Sequence, residues 1–178
     1  MNSRKMLRIM AIFAVAVMML VACSSQNGTT DSFDPENQKE YGINGIYVGQ
    51  NIKEAMELLK PNKADFMDMV SRESYTVDQM ASGAGEAVMG MLLVNRTQVI
   101  VKVKKGVLQS IMLGGVAKED AEVLKTNRGL AMYASSDEMK KLYGDATGEK
   151  EVVYKGSKYM ANFGIADNKV VWFRFDSL

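Results

Sequence analysis

The chain has 178 residues, 22 basic side chains against 21 acidic ones, a single cysteine and no histidine. Without histidine, Ser-His-Asp and Cys-His catalytic centres and the H-E-x-x-H zinc site are excluded, and one cysteine cannot form an intrachain disulfide. A net charge of +1 with no basic block argues against nucleic acid as the main partner.

The first element is a leader. Met1 to Arg8 carries Arg4, Lys5 and Arg8 and no acid, and Ile9 to Ala22 is an unbroken apolar run. That run is shorter than the roughly 18 to 20 residues a helix needs to span a bilayer, so it reads as a secretory signal. It ends in Leu20-Val21-Ala22-Cys23, which resembles the lipobox of bacterial lipoproteins. The resemblance implies diacylglycerol on the Cys23 thiol, cleavage between Ala22 and Cys23, and usually acylation of the new amino group. Two or more acyl chains, at about 0.8 kcal/mol per buried CH2, anchor a protein stably. The expected location is the extracytoplasmic face of the cell membrane or outer membrane. Ser24 is similar to the outer-membrane sorting pattern rather than to the aspartate retention signal. From Cys23 onward 19 basic residues face 21 acidic ones, a net charge of −2.

Ser24 to Glu40 is polar and without periodicity, which predicts a flexible tether whose 17 residues reach about 55 to 60 Å when extended. The expected divisions are residues 1–22 (signal peptide), 23–40 (lipidated cysteine and linker), 41–118 (first α+β unit) and 119–178 (second α+β unit).

The two units align without a gap from Gly45 to Leu59 and from Gly129 to Tyr143, an offset of 84. Each segment has a capping-box pattern, Asn51/Glu54 and Ser135/Glu138, followed by apolar residues at helical spacing. Pro61 stops the first helix and Gly144 the second. Strands are expected at Ala87–Val94, Gln98–Lys104 and Val107–Leu113, then at Glu151–Tyr154, Lys158–Ala166 and Val170–Phe175. Lys105-Gly106 and Asp167-Asn168-Lys169 supply tight turns at an offset near 63. About 20 extra residues therefore lie in the first unit, where Phe66, Met69 and Val70 at helical spacing predict a second helix over Asn62–Arg72. Gly83-Ala84-Gly85, with Val88 where a dinucleotide loop needs glycine, marks a turn. Alternation puts Val99, Val101 and Val103 on one strand face with Lys102 and Lys104 opposite. It likewise puts Val171, Phe173 and Phe175 opposite Val170, Trp172 and Arg174. The fold class is α+β: two similar helix-plus-antiparallel-sheet units in tandem, two-layered.

Thr126-Asn127-Arg128-Gly129-Leu130, then Ser135, then Leu142-Tyr143-Gly144, is similar to a motif of extracytoplasmic bacterial lipoproteins. The tandem arrangement resembles the β-lactamase-inhibitor-protein fold and the BamE-type lipoproteins of outer-membrane assembly. Those folds imply binding and scaffolding rather than catalysis. The second segment departs from the pattern with Tyr133-Ala134 where glycine is usual, while the first keeps Gly49.

The residues singled out for binding are Trp172, Arg174, Asn162, Met160 and Lys102, expected together on the open sheet face; tryptophan and arginine are enriched at binding hot spots. The methionines, Met67/Met69 and Met89/Met91 included, are soft Cu(I) ligands by chemistry but are expected to fill the core. The acidic groups Asp65/Asp68, Glu119/Asp120/Glu122 and Asp137/Glu138 are expected to serve caps and solvated turns rather than a glycosidase pair. No catalytic residue, metal site or cofactor is expected. The expected partners are the membrane, through the lipid on Cys23, and an envelope protein. The function expected is a lipid-anchored binding or scaffold protein; the alternative is a carrier or sensor of a small molecule or envelope component.

Overall fold

In the computed structural model of the chain the described residues are 32–178. The leader, the Ala22–Cys23 bond and the tether up to residue 31 lie outside them. In chain order the elements are β1 (Gly42–Ile43), β2 (Ile46–Tyr47), α1 (Ile52–Leu59), β3 (Lys63–Asp68), α2 (Val77–Ala81), β4 (Val88–Val94), β5 (Thr97–Lys104) and β6 (Val107–Gly114). After these come α3 (Ser136–Tyr143), β7 (Glu151–Lys155), β8 (Tyr159–Ala166) and β9 (Lys169–Ser177). The fold is α+β, dominated by one antiparallel sheet of seven strands in the order β3-β4-β5-β6-β9-β8-β7. The strands of the two expected units thus form a single sheet, joined where β6 pairs with β9 through Ile111↔Phe175 and Leu113↔Phe173.

Alternation within the strands builds the core. Phe66, Gly90, Val101, Ile111, Phe175, Ala161 and Tyr154 make one register line across all seven strands, facing the helices. Ile52, Ala55 and Leu59 of α1, Met80 of α2, and Met139 and Tyr143 of α3 join the same buried cluster. An aromatic chain runs through it from Tyr143 and Tyr154 to Phe163, and from Phe163 to Phe173 and Phe175, with centroid separations of 4.8 to 6.2 Å.

The two helices are seated on the sheet by matching hydrogen bonds. Near α1, Gly49 N–H donates to Leu108 O (2.8 Å), Leu108 N–H to Gln50 O (2.9 Å) and Ile52 N–H to Gly106 O (2.9 Å). Near α3, Tyr133 N–H donates to Val170 O (2.8 Å), Val170 N–H to Ala134 O (2.9 Å) and Ser136 N–H to Asn168 O (3.1 Å). The helix-side numbers differ by 84 (49 to 133) and the strand-side numbers by 62 (108 to 170). Tyr133 has φ 63° and Gly49 φ 91°, so the tyrosine takes a backbone shape that glycine adopts freely, at a cost of roughly 1–2 kcal/mol. Its hydroxyl donates to Val116 O. The hairpin turns match too: Lys105-Gly106 and Asp167-Asn168 each have φ positive at both residues, the shape that suits the twist of two-residue hairpins.

Four expectations change. Residues 63–68 form a strand, not a helix, because pairing with β4 buries Phe66 on the core face, and Asp68 ends β3. Asp68 is 3% exposed and its carboxylate accepts four backbone N–H groups: Val70 (2.8 Å), Ser71 (3.1 Å), Glu86 (3.0 Å) and Ala87 (3.1 Å). The folded chain also starts before Tyr41. Phe33 packs against Tyr41, Tyr143 and Tyr154, the Tyr41 hydroxyl donates to Pro35 O (2.8 Å), and Tyr159 donates to Gln38 Oε1 (2.8 Å). Glu40 forms a buried ion pair with Arg128 (2.5 Å), whose guanidinium lies 5.8 Å from the ring centres of both Phe33 and Tyr143.

The third change is in β9. The register steps from Gly164↔Trp172 to Ile165↔Val170, so Val171 is an extra, bulged residue and Val170 turns into the core. A like step in β6, from Lys102↔Ser110 to Val103↔Leu108, makes Gln109 extra. The fourth is the start of α1, where Asn51 accepts from Lys53 N–H (2.9 Å) instead of completing a box with Glu54. Ser135 does accept from Glu138 N–H (3.1 Å). The reciprocal box in this fold lies at α2, between Thr76 and Gln79.

Candidate functional site

The sheet face turned away from the helices carries the candidate site. On it, Asp65, Met91, Ile100, Met112, Arg174, Asn162 and Val153 form one register line across the sheet. Met67, Met89, Lys102, Ser110, Asp176, Met160 and Lys155 form the next. Strand periodicity requires this, because each of these residues neighbours a core residue in sequence. None of these side chains except Asn162 is fully buried.

All five sequence-predicted binding residues lie on this face. Arg174 and Asn162 are direct cross-strand partners, and Trp172 pairs with both Gly164 and Gly114. Gly164 makes the seat for the indole, while a Cβ at Gly114 would meet Trp172 Cβ (3.0 Å) rather than the ring. A Cβ at Gly164 would fall 1.9 Å from Trp172 Nε1, so the ring lies directly on the backbone of β8. Asp176 is the polar hub: it accepts from Arg174 Nε (2.7 Å), Ser110 Oγ (2.7 Å) and Asn162 Nδ2 (3.4 Å). Asn162 is 2% exposed, so it positions Asp176 from below rather than meeting a partner. Arg174 keeps 43% of its side chain in solvent while its Nε fixes the plane of the guanidinium. Lys102 sits on β5, beyond β6, and is exposed.

Sequence reasoning overlooked Ser110 and Asp176, the partners that orient Arg174. The i, i+2 spacing of Arg174 and Asp176 on one strand face was the available signal. It also placed Met67, Met69, Met89 and Met91 in the core, whereas they are 39%, 39%, 39% and 48% exposed. They line a groove of about 570 Å³ at the β3–β4 end of the sheet. Beside Trp172 is a smaller hollow of about 250 Å³ bounded by Ile100, Met112 and Gly114. A larger one, about 620 Å³, lies among β1, β2 and the 126–129 turn. The Asn127 side chain there is spent within the fold, on Lys39 O (2.8 Å), Ile46 O (3.0 Å) and Gly45 N–H (2.8 Å).

The acidic groups are held locally. Asp65 pairs with Lys63 (2.8 Å), Asp120 with Arg96 (2.7 Å) and Glu122 with Lys125 (2.7 Å). Among the described residues no group of three or more Asp, Glu, Cys or His residues is placed to hold a metal ion. Among them, too, no helix is long and apolar enough to cross a membrane.

No family model matches the chain, and no curated protein matches it. Among solved structures it is similar to an extracellular protein containing a SCP domain from Bacillus anthracis str. Ames. The identity is 11% and the TM-score 0.37, over 86% of this chain and 49% of that one. The chain spans about half the length of that protein, and at such a score the likeness assigns neither fold family nor function.

Proposed function

We infer that the chain is a lipid-anchored binding or scaffold protein of the bacterial cell envelope, held by acyl chains on Cys23 and facing away from the cytoplasm. The reading gives it no catalytic step. The observation that carries it is the uncovered sheet face, with Trp172 seated on Gly164 beside the oriented Arg174–Asp176 pair. Single exposed apolar side chains are ordinary on protein surfaces, but a contiguous patch with an arginine and a tryptophan in fixed poses marks an interaction site. At the Trp172 patch itself the hollow, about 250 Å³, is below the roughly 300–1,000 Å³ of small-molecule pockets, which favours a macromolecular partner over a carried ligand there.

The tandem origin belongs to the same reading. The paired hydrogen bonds at offsets of 84 and 62, the two matching turns and the bulges at Gln109 and Val171 support one helix-plus-meander unit used twice. The resemblance to inhibitor-protein and BamE-type folds fits this arrangement, with β3 and α2 as additions to the first unit.

Two experiments on the full-length chain in its own cells test the reading. Cys23→Ser should release the protein from the membrane fraction; full retention overturns the anchor. A photocrosslinking residue at Lys102 or Val153 should give a discrete protein adduct that one at Glu57 on α1 does not, and Trp172→Ala with Arg174→Ala should abolish it. Equal labelling from both sides overturns the role of the sheet face.

A further inference from the structure

We propose that the groove at the β3–β4 end of the sheet is a thioether site for a soft monovalent cation, Cu(I) or Ag(I). Ten methionines fall among the described residues, and the four that are exposed, Met67, Met69, Met89 and Met91, all line this one groove. Core packing accounts for Met80, Met132 and Met139, which are buried, but not for these four.

The backbone places the four methionine side chains around one groove. Met67 and Met89 are direct cross-strand partners, which sets their Cβ atoms about 4.5–5.5 Å apart. Met91 lies two residues further along β4 on the same face, diagonal to Met67. Met69 follows β3 and is tied to the start of β4 by its N–H to Ala87 O (3.1 Å). Gln98 Nε2 donates to Met91 Sδ (3.3 Å), which fixes that thioether and leaves its second lone pair free.

The donor set decides the metal. Hard divalent cations need several oxygens, and the one carboxylate in the groove, Asp65, is committed to Lys63 (2.8 Å). Zinc and Cu(II) favour imidazole, which the chain lacks altogether. Neutral thioethers select Cu(I) and its redox-inert analogue Ag(I). Binding is a simple coordination with no change of oxidation state. The site is separate from the Trp172 surface, three strands away in the sheet order.

The test uses the full-length chain in detergent with Cys23→Ser, which removes the single competing thiol, and Ag(I) as the probe. Native mass spectrometry should show one tightly held Ag(I), and 13C-methyl NMR should show shifts at no fewer than three of Met67, Met69, Met89 and Met91, with Met80, Met112, Met132 and Met139 unmoved. Met67→Leu with Met89→Leu keeps side-chain volume and should lower Ag(I) affinity at least 10- to 100-fold, the loss already seen when outer-shell partners of a metal site are removed. Trp172→Ala should leave it unchanged. Shifts at fewer than three of the four methyls, comparable shifts at other methionines, or wild-type affinity in the folded double variant each overturn the site.

Discussion

The two faces of the seven-stranded sheet are written by alternate residues of the same strands, and they follow different rules. On β5, Val99, Val101 and Val103 are fully buried while Gln98, Lys102 and Lys104 are exposed. The helix-side face uses Phe, Val, Ile, Leu and Tyr and forms one continuous core across the seven strands. The open face is divided: methionines dominate at β3 and β4, and Trp172, Arg174 and Asp176 at β9. Stability is therefore shared across the β6–β9 junction, whereas the exposed side-chain chemistry differs between the two ends of the sheet.

The sharpest break between the faces is expected at two adjacent residues. Phe173 is fully buried and touches Phe163 and Phe175, with ring centres 6.2 and 5.7 Å away. Phe173→Ala should cost about 3–5 kcal/mol of unfolding free energy, through lost transfer energy and the cavity left behind. Trp172→Ala, on the other face, should cost about 1 kcal/mol while removing the crosslinked adduct. Urea unfolding of both variants checks this. Equal losses would mean that the open face is packed as a second core.

A smaller contrast lies in acid sensitivity. The amides of Val70, Ala87, Ser71 and Glu86 point at Asp68 and hold its carboxyl at about 2, below the ordinary carboxylate value of about 3.9. A depressed folded value means that its contribution is fully present above the ordinary value and is lost as pH falls toward 2. Between pH 5 and pH 2, the amides of Val70, Ser71, Glu86 and Ala87 should lose hydrogen-exchange protection before those of β5 and β6, after correction for intrinsic rates. Asp68→Asn should bring the same local opening at pH 7, since its amide nitrogen cannot accept. Protection that falls uniformly across the sheet would remove Asp68 as a local clamp.

How far these features were legible in the sequence follows from their range. The six strands of the two meanders, the two longer helices and both hairpin turns were readable because each is specified locally, by alternation, a cap or a Lys-Gly or Asp-Asn pair. β3 was not, because Lys63–Asp68 carries apolar residues at both helical and strand spacing, and only pairing with β4 decides between them. The short helix α2 is marked by the Thr76/Gln79 box, but its five residues are too few to show helical periodicity. Phe33 was hidden because a lone aromatic in a polar stretch has no periodicity; besides the nearby Tyr41, its partners Tyr143 and Tyr154 lie more than a hundred residues away. The open-face patch was legible as a set of residues. The exposure of the methionines was not, since a hydrophobic residue on an alternating strand reads the same whether or not anything covers it.

The smallest expected effect is the most direct probe of the open face. Gly164 has no positive φ, so its backbone accepts alanine, and the nearest obstacle is the indole, whose Nε1, Cε2 and Cδ1 would lie 1.9, 2.2 and 2.4 Å from the new Cβ. In Gly164→Ala the new methyl occupies the place of Trp172 Nε1 and forces the ring to another rotamer, out over solvent. The gain from replacing a strand glycine, roughly 0.5–1 kcal/mol, offsets the lost contact of ring with backbone, so the net stability change should stay within about 1 kcal/mol. Trp172 is the only tryptophan, so its fluorescence reports the move without ambiguity and should shift to the red. If binding depends on the pose of the ring rather than on its presence, the crosslinked adduct should weaken in this variant although every side chain of the patch remains. An unshifted emission spectrum in a folded Gly164→Ala protein would show that the indole does not rest on Gly164, and the seat for Trp172 would have to be sought elsewhere on the face.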